Sequence, residues 1–244
     1  MPEGPSILIL KEKLQPFTGQ KVIAASCNNG TLDARILTGQ TITAFKSWGK
    51  HFLICFAGFT IRIHMMMFGT YRINSRTEKS PRLHLQFEDG ELNFYACQLK
   101  LIEEPLDEVY DWQADVMSEA WDTKKAIKKM KAIPGLLACD ALMDQQIFSG
   151  VGNIIKNEAL FRSRIHPESV IAAMPPKKVK ELITETILYS FEFLEQRKEG
   201  TLKRHWQAYH KKECPRNHVP FISKDTGRSR RASFYCELCQ VKYQ

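Results

Sequence analysis

The sequence predicts an α+β multidomain chain: an antiparallel β-sandwich first, a helical segment second and a small cysteine-bearing β-hairpin last. Three observations predict it. Six short β-rich runs separated by turn residues lie between about 20 and 103. From about 119 the apolar residues recur at helical spacing, with Val179, Leu182, Ile183, Thr186, Ile187 and Phe191 forming one stripe. The last forty residues are short, basic and cysteine-bearing. The expected segments are 2–118, 119–205 and 206–244.

The chain opens Met1-Pro2-Glu3-Gly4-Pro5, and Ile7, Leu10, Leu14 and Phe17 then recur at helical spacing, so a short buried helix is expected there. The strand runs are KVIAAS, TITAFKS, HFLICF, TIRIHM, RLHLQF and ELNFYA. The last two are the clearest, because Leu83, Leu85 and Phe87 alternate with polar residues and Asp89-Gly90 turns the chain into a hairpin. The stretch DTKKAIKKMKAI reads as a strongly basic helix. Gly150-Val151-Gly152-Asn153 then runs into a helix of about three turns, closed by Pro167. Glycines at a helix start let backbone N–H groups approach an anion, the helix dipole favours phosphate, and the Asn153 amide can donate to it. A plain glycine-rich turn between helices would carry the same letters.

In the tail, Cys214-x3-His218 and Cys236-x2-Cys239 give two close pairs of N and S ligands, the set that tetrahedral zinc requires. A hairpin this short cannot bury enough core to hold itself, so a metal staple makes physical sense. His210 is the alternative to His218. Arg228, Arg230 and Arg231 fall near the hairpin tip, where arginines suit phosphate contact or form a solvated loop.

The 244 residues are 43% apolar, which allows a real core, and they carry a formal charge of +8 with pI ≈ 9.1. A basic excess favours an anionic partner, nucleic acid first. No apolar run reaches the roughly 18 residues of a membrane span, and the start lacks the layout of a signal peptide. Seven cysteines, an odd number without an export signal, argue against disulfides and for a cytoplasmic setting.

Pro2-Glu3-Gly4-Pro5, GVGNIIKNEALFRSRIHP and RRASFYCELCQ together resemble the formamidopyrimidine-DNA glycosylase / endonuclease VIII family over nearly the whole chain. The resemblance implies a β-sandwich, a helix–two-turns–helix domain and a zinc finger, in that order. It implies a bifunctional DNA glycosylase and AP lyase of base excision repair, acting on damaged double-stranded DNA. One structural zinc, no organic cofactor, no membrane, a monomer and a bacterial-type, nucleoid-associated setting go with it. The opening residues support the chemistry directly. Removal of Met1 exposes a secondary amine on Pro2, and an α-amino group with a pKa of about 8 is partly neutral at pH 7. Such an amine can attack C1′ of a deoxyribose, and Glu3 beside it can deliver a proton to the opening sugar ring.

By resemblance, Lys50 in SWGKHFLICF contacts the phosphate beside the damaged nucleotide and assists catalysis. HMMMFG resembles the family's intercalation loop, with Met66, Met67 and Phe68 projecting and His64 facing a phosphate. Gly150, Gly152, Asn153 and Arg231 hold the phosphates around the flipped nucleotide. The chain departs from purine-specific members in carrying FYACQLKLIEE where they have an Asp-Pro-Arg-Arg-Phe-like loop. It also has Gln146 where some have lysine, and His218 replaces a zinc cysteine. The missing loop looks more like the endonuclease VIII branch, which prefers oxidised pyrimidines; the departures bear on substrate range and not on the reaction. The rival readings are a zinc-stapled DNA-binding protein without catalysis and an RNA- or ribosome-associated zinc protein.

Overall fold

Helix α1 (Gly4–Leu14) starts directly behind Glu3, which caps it in extended backbone with φ −115° and ψ 173°. Pro5 fits the first turn, where its missing N–H has no helical partner to lose. Lys11 and Lys13 occupy the last turn, where the helix dipole favours cations. Ile7, Leu10, Leu14 and Phe17 are all buried, as their spacing predicts. The computed structural model describes residues 2–28, 30 and 32–244, so the removal of Met1 lies outside the described residues. The chain forms two compact units, Met1–Tyr110 and Asp111–Gln244.

The first unit is built on one six-stranded sheet. Its strands are β1 (Ala24–Cys27), β2 (Ala44–Trp48), β3 (His51–Phe56), β4 (Phe59–Ile73), β5 (Leu83–Phe87) and β6 (Gly90–Ile102), in the order β1-β5-β6-β4-β3-β2. Every neighbouring pair is antiparallel. All six predicted runs are present. Leu83, Leu85 and Phe87 are fully buried, and α1 packs against β2 and β3 to close one core with Phe52, Phe87 and Phe94. The β5–β6 turn falls one residue earlier than Asp89-Gly90 suggests: Gly90 already pairs with Phe87. A side chain at Gly90 would run into the Asn74 carboxamide, whose Oδ1 accepts the Glu91 N–H at 2.9 Å. A short helix, α2 (Leu106–Val109), follows β6.

The second unit holds α3 (Thr123–Lys131), α4 (Ala138–Met143), α5 (Asn153–Arg162), α6 (Pro176–Lys198) and a hairpin of β7 (Ile222–Thr226) and β8 (Arg231–Tyr235). Asp122 caps α3 by accepting the N–H groups of Lys124 and Lys125 at 2.8 and 3.1 Å. Residues 144–152 link α4 to α5 through two turns. The buried stripe of α6 begins as predicted with Val179, Leu182, Ile183 and Thr186, then continues through Tyr189, Ser190, Phe193 and Leu194. Phe191 is exposed, because at 100° per residue it lies about 120° round the helix from Val179. The helical segment and the hairpin, divided at 205 on the sequence, share this unit because α5 is hydrogen-bonded to β8. Among the described residues no helix is long and apolar enough to cross a membrane.

Candidate functional site

In the first unit, Pro2 is half-buried and the Glu3 residue is 1% exposed. The Glu3 carbonyl accepts the N–H groups of Ser6 and Ile7 at 2.8 and 3.3 Å, which fixes the residue at the helix start. Helix α1 rests on β2 and β3, the two strands whose turn carries Lys50. That turn has two residues, Gly49 and Lys50, between the Trp48–His51 pair, and Gly49 supplies the φ of +51°.

A cluster of polar rings surrounds the turn. His51 and His64 pair across β3 and β4, with ring centroids 5.4 Å apart and edge to face. The Tyr110 hydroxyl lies 3.2 Å from His51 Nδ1, and Trp48 packs on Tyr110 at 5.0 Å. Burial, then the charges of Arg62, His64 and Lys50, push the His51 imidazole down to about 3. His64 is lowered as well, chiefly by burial, although its hydrogen bond to the Lys50 backbone works the other way. Burial pushes the Tyr110 hydroxyl up to about 12. Both imidazoles are therefore neutral at pH 7, and Lys50 and Arg62 carry the local positive charge. His64 Nδ1 and Arg62 Nε are buried without hydrogen-bond partners among the described residues. The corner suits an anion.

The apolar residues after His64 take an unusual path. Met65 pairs with Cys97 and Thr70 with Tyr95, so four residues of β4 oppose Ala96 alone. The extra length is extruded as a bulge. Met65 stays buried, while Met66, Met67 and Phe68 are 42%, 53% and 84% exposed. Gly69 closes the bulge so tightly that a Cβ would lie 2.9 Å from both Met65 Cβ and the Met66 nitrogen. FYACQLKLIEE continues through β6 without a protruding loop, and Ala96, at φ +47°, absorbs the mismatch.

In the second unit, Gly150 has a φ of +96°, and its N–H donates to Gln145 Oε1 at 3.2 Å. It is not aimed outward at an anion, as the glycine pattern suggests. Asn153 Nδ2 donates to the Ala232 carbonyl at 3.0 Å, and its Oδ1 is buried without a partner among the described residues. Further along α5, Asn157 donates to the same carbonyl at 3.2 Å and accepts the Phe234 N–H at 2.7 Å. Glu158, fully buried, accepts the N–H groups of Gln207, Ala208 and Tyr209 at 2.8–3.1 Å. Arg228 and Arg230 lie in the hairpin turn and Arg231 opens β8. The turn itself is docked: Asp140 Oδ1 accepts the Arg228 N–H at 2.8 Å.

Cys214, Cys236 and Cys239 bring their sulfurs within 4.8 Å of one another and could hold a metal ion. Thiolates about 2.3 Å from a tetrahedral ion stand about 3.8 Å apart, and the Cys214 and Cys239 sulfurs are 3.8 Å apart. Burial raises the Cys214 thiol, but the N–H groups of Arg216 and Asn217 together with the Cys236 and Cys239 thiols outweigh it and leave it below its ordinary value. Burial pushes Cys239 up to about 11. His218 does not join the sulfurs: it is exposed, and its Nδ1 lies 3.0 Å from Glu213. Asn217 borders the site instead, with Oδ1 3.6 and 3.7 Å from the Cys214 and Cys236 sulfurs. His210 packs against Phe234 and Tyr209.

Reading the sequence alone missed His51, Arg62 and Tyr110 around Lys50, and Lys156, Asn157 and Glu158 on α5. For α5 the signal was there: a polar Lys-Asn-Glu run inside an apolar helix, three to five residues from Asn153.

The formamidopyrimidine-DNA glycosylase N-terminal domain model matches residues 1–100, and the formamidopyrimidine-DNA glycosylase H2TH domain model matches 101–201. Endonuclease 8-like 2 of Bos taurus is 27% identical over 99% of this chain and 96% of its own length. The Mus musculus protein of that name is 32% identical, but over 74% of this chain and 57% of its own length. Endonuclease 8-like 3 of Mus musculus is 28% identical over 84% of this chain, which spans only 36% of that protein. A crystal structure of Lactococcus lactis formamidopyrimidine-DNA glycosylase, bound to DNA containing an AP site, superposes with a TM-score of 0.87. It is 23% identical and covers 98% of this chain and 100% of its own. A viral DNA glycosylase gives 0.83 at 20% identity, covering 98% of this chain and 100% of its own. The sequence relatives named here are mammalian, so the bacterial type expected from the sequence is not supported.

Proposed function

The chain belongs to the formamidopyrimidine-DNA glycosylase / endonuclease VIII family, on the endonuclease VIII side. From that premise we propose a base-excision-repair DNA glycosylase that removes an oxidised base from damaged double-stranded DNA and then nicks the strand as an AP lyase. The observation that carries the reading is the Pro2–Glu3 pair, held at the buried start of α1 above the strands that present Lys50.

The Pro2 nitrogen, uncovered when Met1 is removed, bonds to C1′ of the extruded nucleotide. The glycosidic bond breaks, and the base leaves with its electron pair and takes up a proton. Glu3 protonates the ring oxygen as the sugar opens, giving an iminium between Pro2 and C1′. Loss of a C2′ proton then expels the 3′ phosphate, and water hydrolyses the iminium to restore Pro2. Lys50 and His64 take the phosphate beside the lesion in the electropositive corner, with neutral His64 donating a hydrogen bond. Asn153, whose amide has a second N–H beyond the one given to Ala232, and Arg231 take phosphates from the other unit.

Extrusion leaves a gap that costs a few kcal/mol. Met66, Met67 and Phe68 fill it, since exposed apolar residues on a bulge are wedges of the kind that enter a base stack. The uninterrupted β6 supports a preference for oxidised pyrimidines. A structural zinc would staple the finger: Cys214, Cys236 and Cys239 would hold it, with His218 as the proposed fourth ligand.

Borohydride trapping on duplex DNA carrying an abasic site tests the scheme. The expected result is a covalent adduct located at Pro2 by peptide mass, and lost when Met1 is retained. Duplex binding without any adduct would instead support a zinc-stapled DNA-binding protein without catalysis.

A further inference from the structure

Lys156 lies in the middle of α5 and is 1% exposed. Its ammonium reaches three consecutive residues of β8: the carbonyls of Arg231 and Ala232 at 3.4 and 3.2 Å, and Ser233 Oγ at 2.9 Å. An ammonium has three N–H donors, so the three acceptors match it in number. Ser233 Oγ in turn lies 2.6 Å from Thr226 Oγ1 on β7, which carries the contact across the hairpin. Asn153 and Asn157, one turn of helix apart, donate to the same Ala232 carbonyl from either side of Lys156 in the sequence. A buried ammonium is costly unless it is well satisfied, and here its donors grip the first three residues of β8, shortest at Ser233 Oγ and reaching back to the Arg231 carbonyl.

We propose that Lys156 is a positioning residue: it locks the Arg231 backbone to α5, and so fixes the spacing between the two phosphate ligands Asn153 and Arg231. This rests on the DNA-binding reading above. Hydrophobic burial of Arg231 cannot set that spacing, because Arg231 is exposed; the hairpin turn beside it, Gly227 to Arg230, lies against Asp140 and Cys139. A directional contact from a buried charge can.

The test is a double-mutant cycle on full-length protein, read as the Kd for duplex DNA carrying a tetrahydrofuran abasic analogue. Lys156→Met is expected to weaken binding about 10-fold, the loss of one charge-assisted contact. The slope of log K against log salt should drop by about 0.9, one phosphate. Arg231→Ala should do the same. In the Arg231→Ala background, Lys156→Met should change Kd less than about 2-fold, because the residue it positions is gone. Lys156→Gln serves if Lys156→Met does not fold, and zinc content is measured for every variant to show an intact finger. Equal fold-losses from Lys156→Met in both backgrounds, or a wild-type Kd and salt slope for the single variant, would overturn the proposal. No binding of the parent protein to any duplex would instead remove the DNA-binding reading itself.

Discussion

His51 has given up its proton to burial. Its imidazole is lowered from 6.5 to about 3, first by desolvation and then by the neighbouring positive charges. Above pH 6.5 the residue is neutral in both the folded and unfolded chain, and its contribution to stability is complete. As pH falls below 6.5 the unfolded chain gains a proton that the folded chain refuses until about 3. Stability is therefore lost across that window, by an amount on the order of a few kcal/mol. Melting temperature measured from pH 7 to pH 4 should fall less steeply for His51→Gln, which can still bond to Tyr110. Glu3 gives a second expectation at this scale. Glu3→Gln should slow base excision on the order of 100-fold and affect nicking of a preformed abasic site far less, as single-turnover gels would show. Equal loss of both would remove Glu3 from the role of ring-oxygen proton donor.

At the scale of elements, the sheet was legible because alternation is local: Leu83, Leu85 and Phe87 declare their inward face without knowing their partners. That some of Met65 to Phe68 project was legible for the same reason, since four consecutive apolar residues cannot all face inward on a strand; which three do so came from the resemblance to the family's intercalation loop. The size of the bulge was not, because it depends on β6 offering a single residue, Ala96, across from them. Gly69→Ala should distort the bulge, since its Cβ would press on backbone of both strands; the expected cost is about 1–3 kcal/mol in chemical denaturation. The clamp of α5 on β8 was illegible for a different reason. Lys156 meets acceptors 75 to 77 residues away, and no periodicity carries that information. Phe191 was misread because a stripe drawn by eye drifts where a 3.6-residue period does not.

Across the whole molecule, charge is unevenly shared. Residues 1–110 hold twelve Lys and Arg against eleven Asp and Glu, while residues 111–244 hold twenty-three against sixteen. The basic excess that first pointed to nucleic acid thus belongs almost wholly to the unit with α5 and the hairpin. The order of the segments and the cysteine pairs could be read from the sequence. The fourth metal ligand could not, because Asn217 and His218 are adjacent and only the backbone turn decides which faces the sulfurs. Zinc prefers imidazole nitrogen to amide oxygen, so His218→Ala should weaken zinc retention against a chelator by at least about 10-fold, and Asn217→Ala should leave it nearly unchanged. A reversal of that order would assign the corner to Asn217.

The bulge of β4 has a chemical consequence of its own. A thioether in solvent is converted by peroxides to a sulfoxide, which is polar and wets readily. Met66 and Met67 stand out in water, whereas Met65 is sheltered in the core. Mild peroxide should therefore add oxygen to the two outer sulfurs first, leave melting unchanged, and blunt entry into the base stack. Treatment with methionine sulfoxide reductases should restore it. An enzyme that answers oxidative injury would then carry, at its leading edge, a part that the same injury switches off.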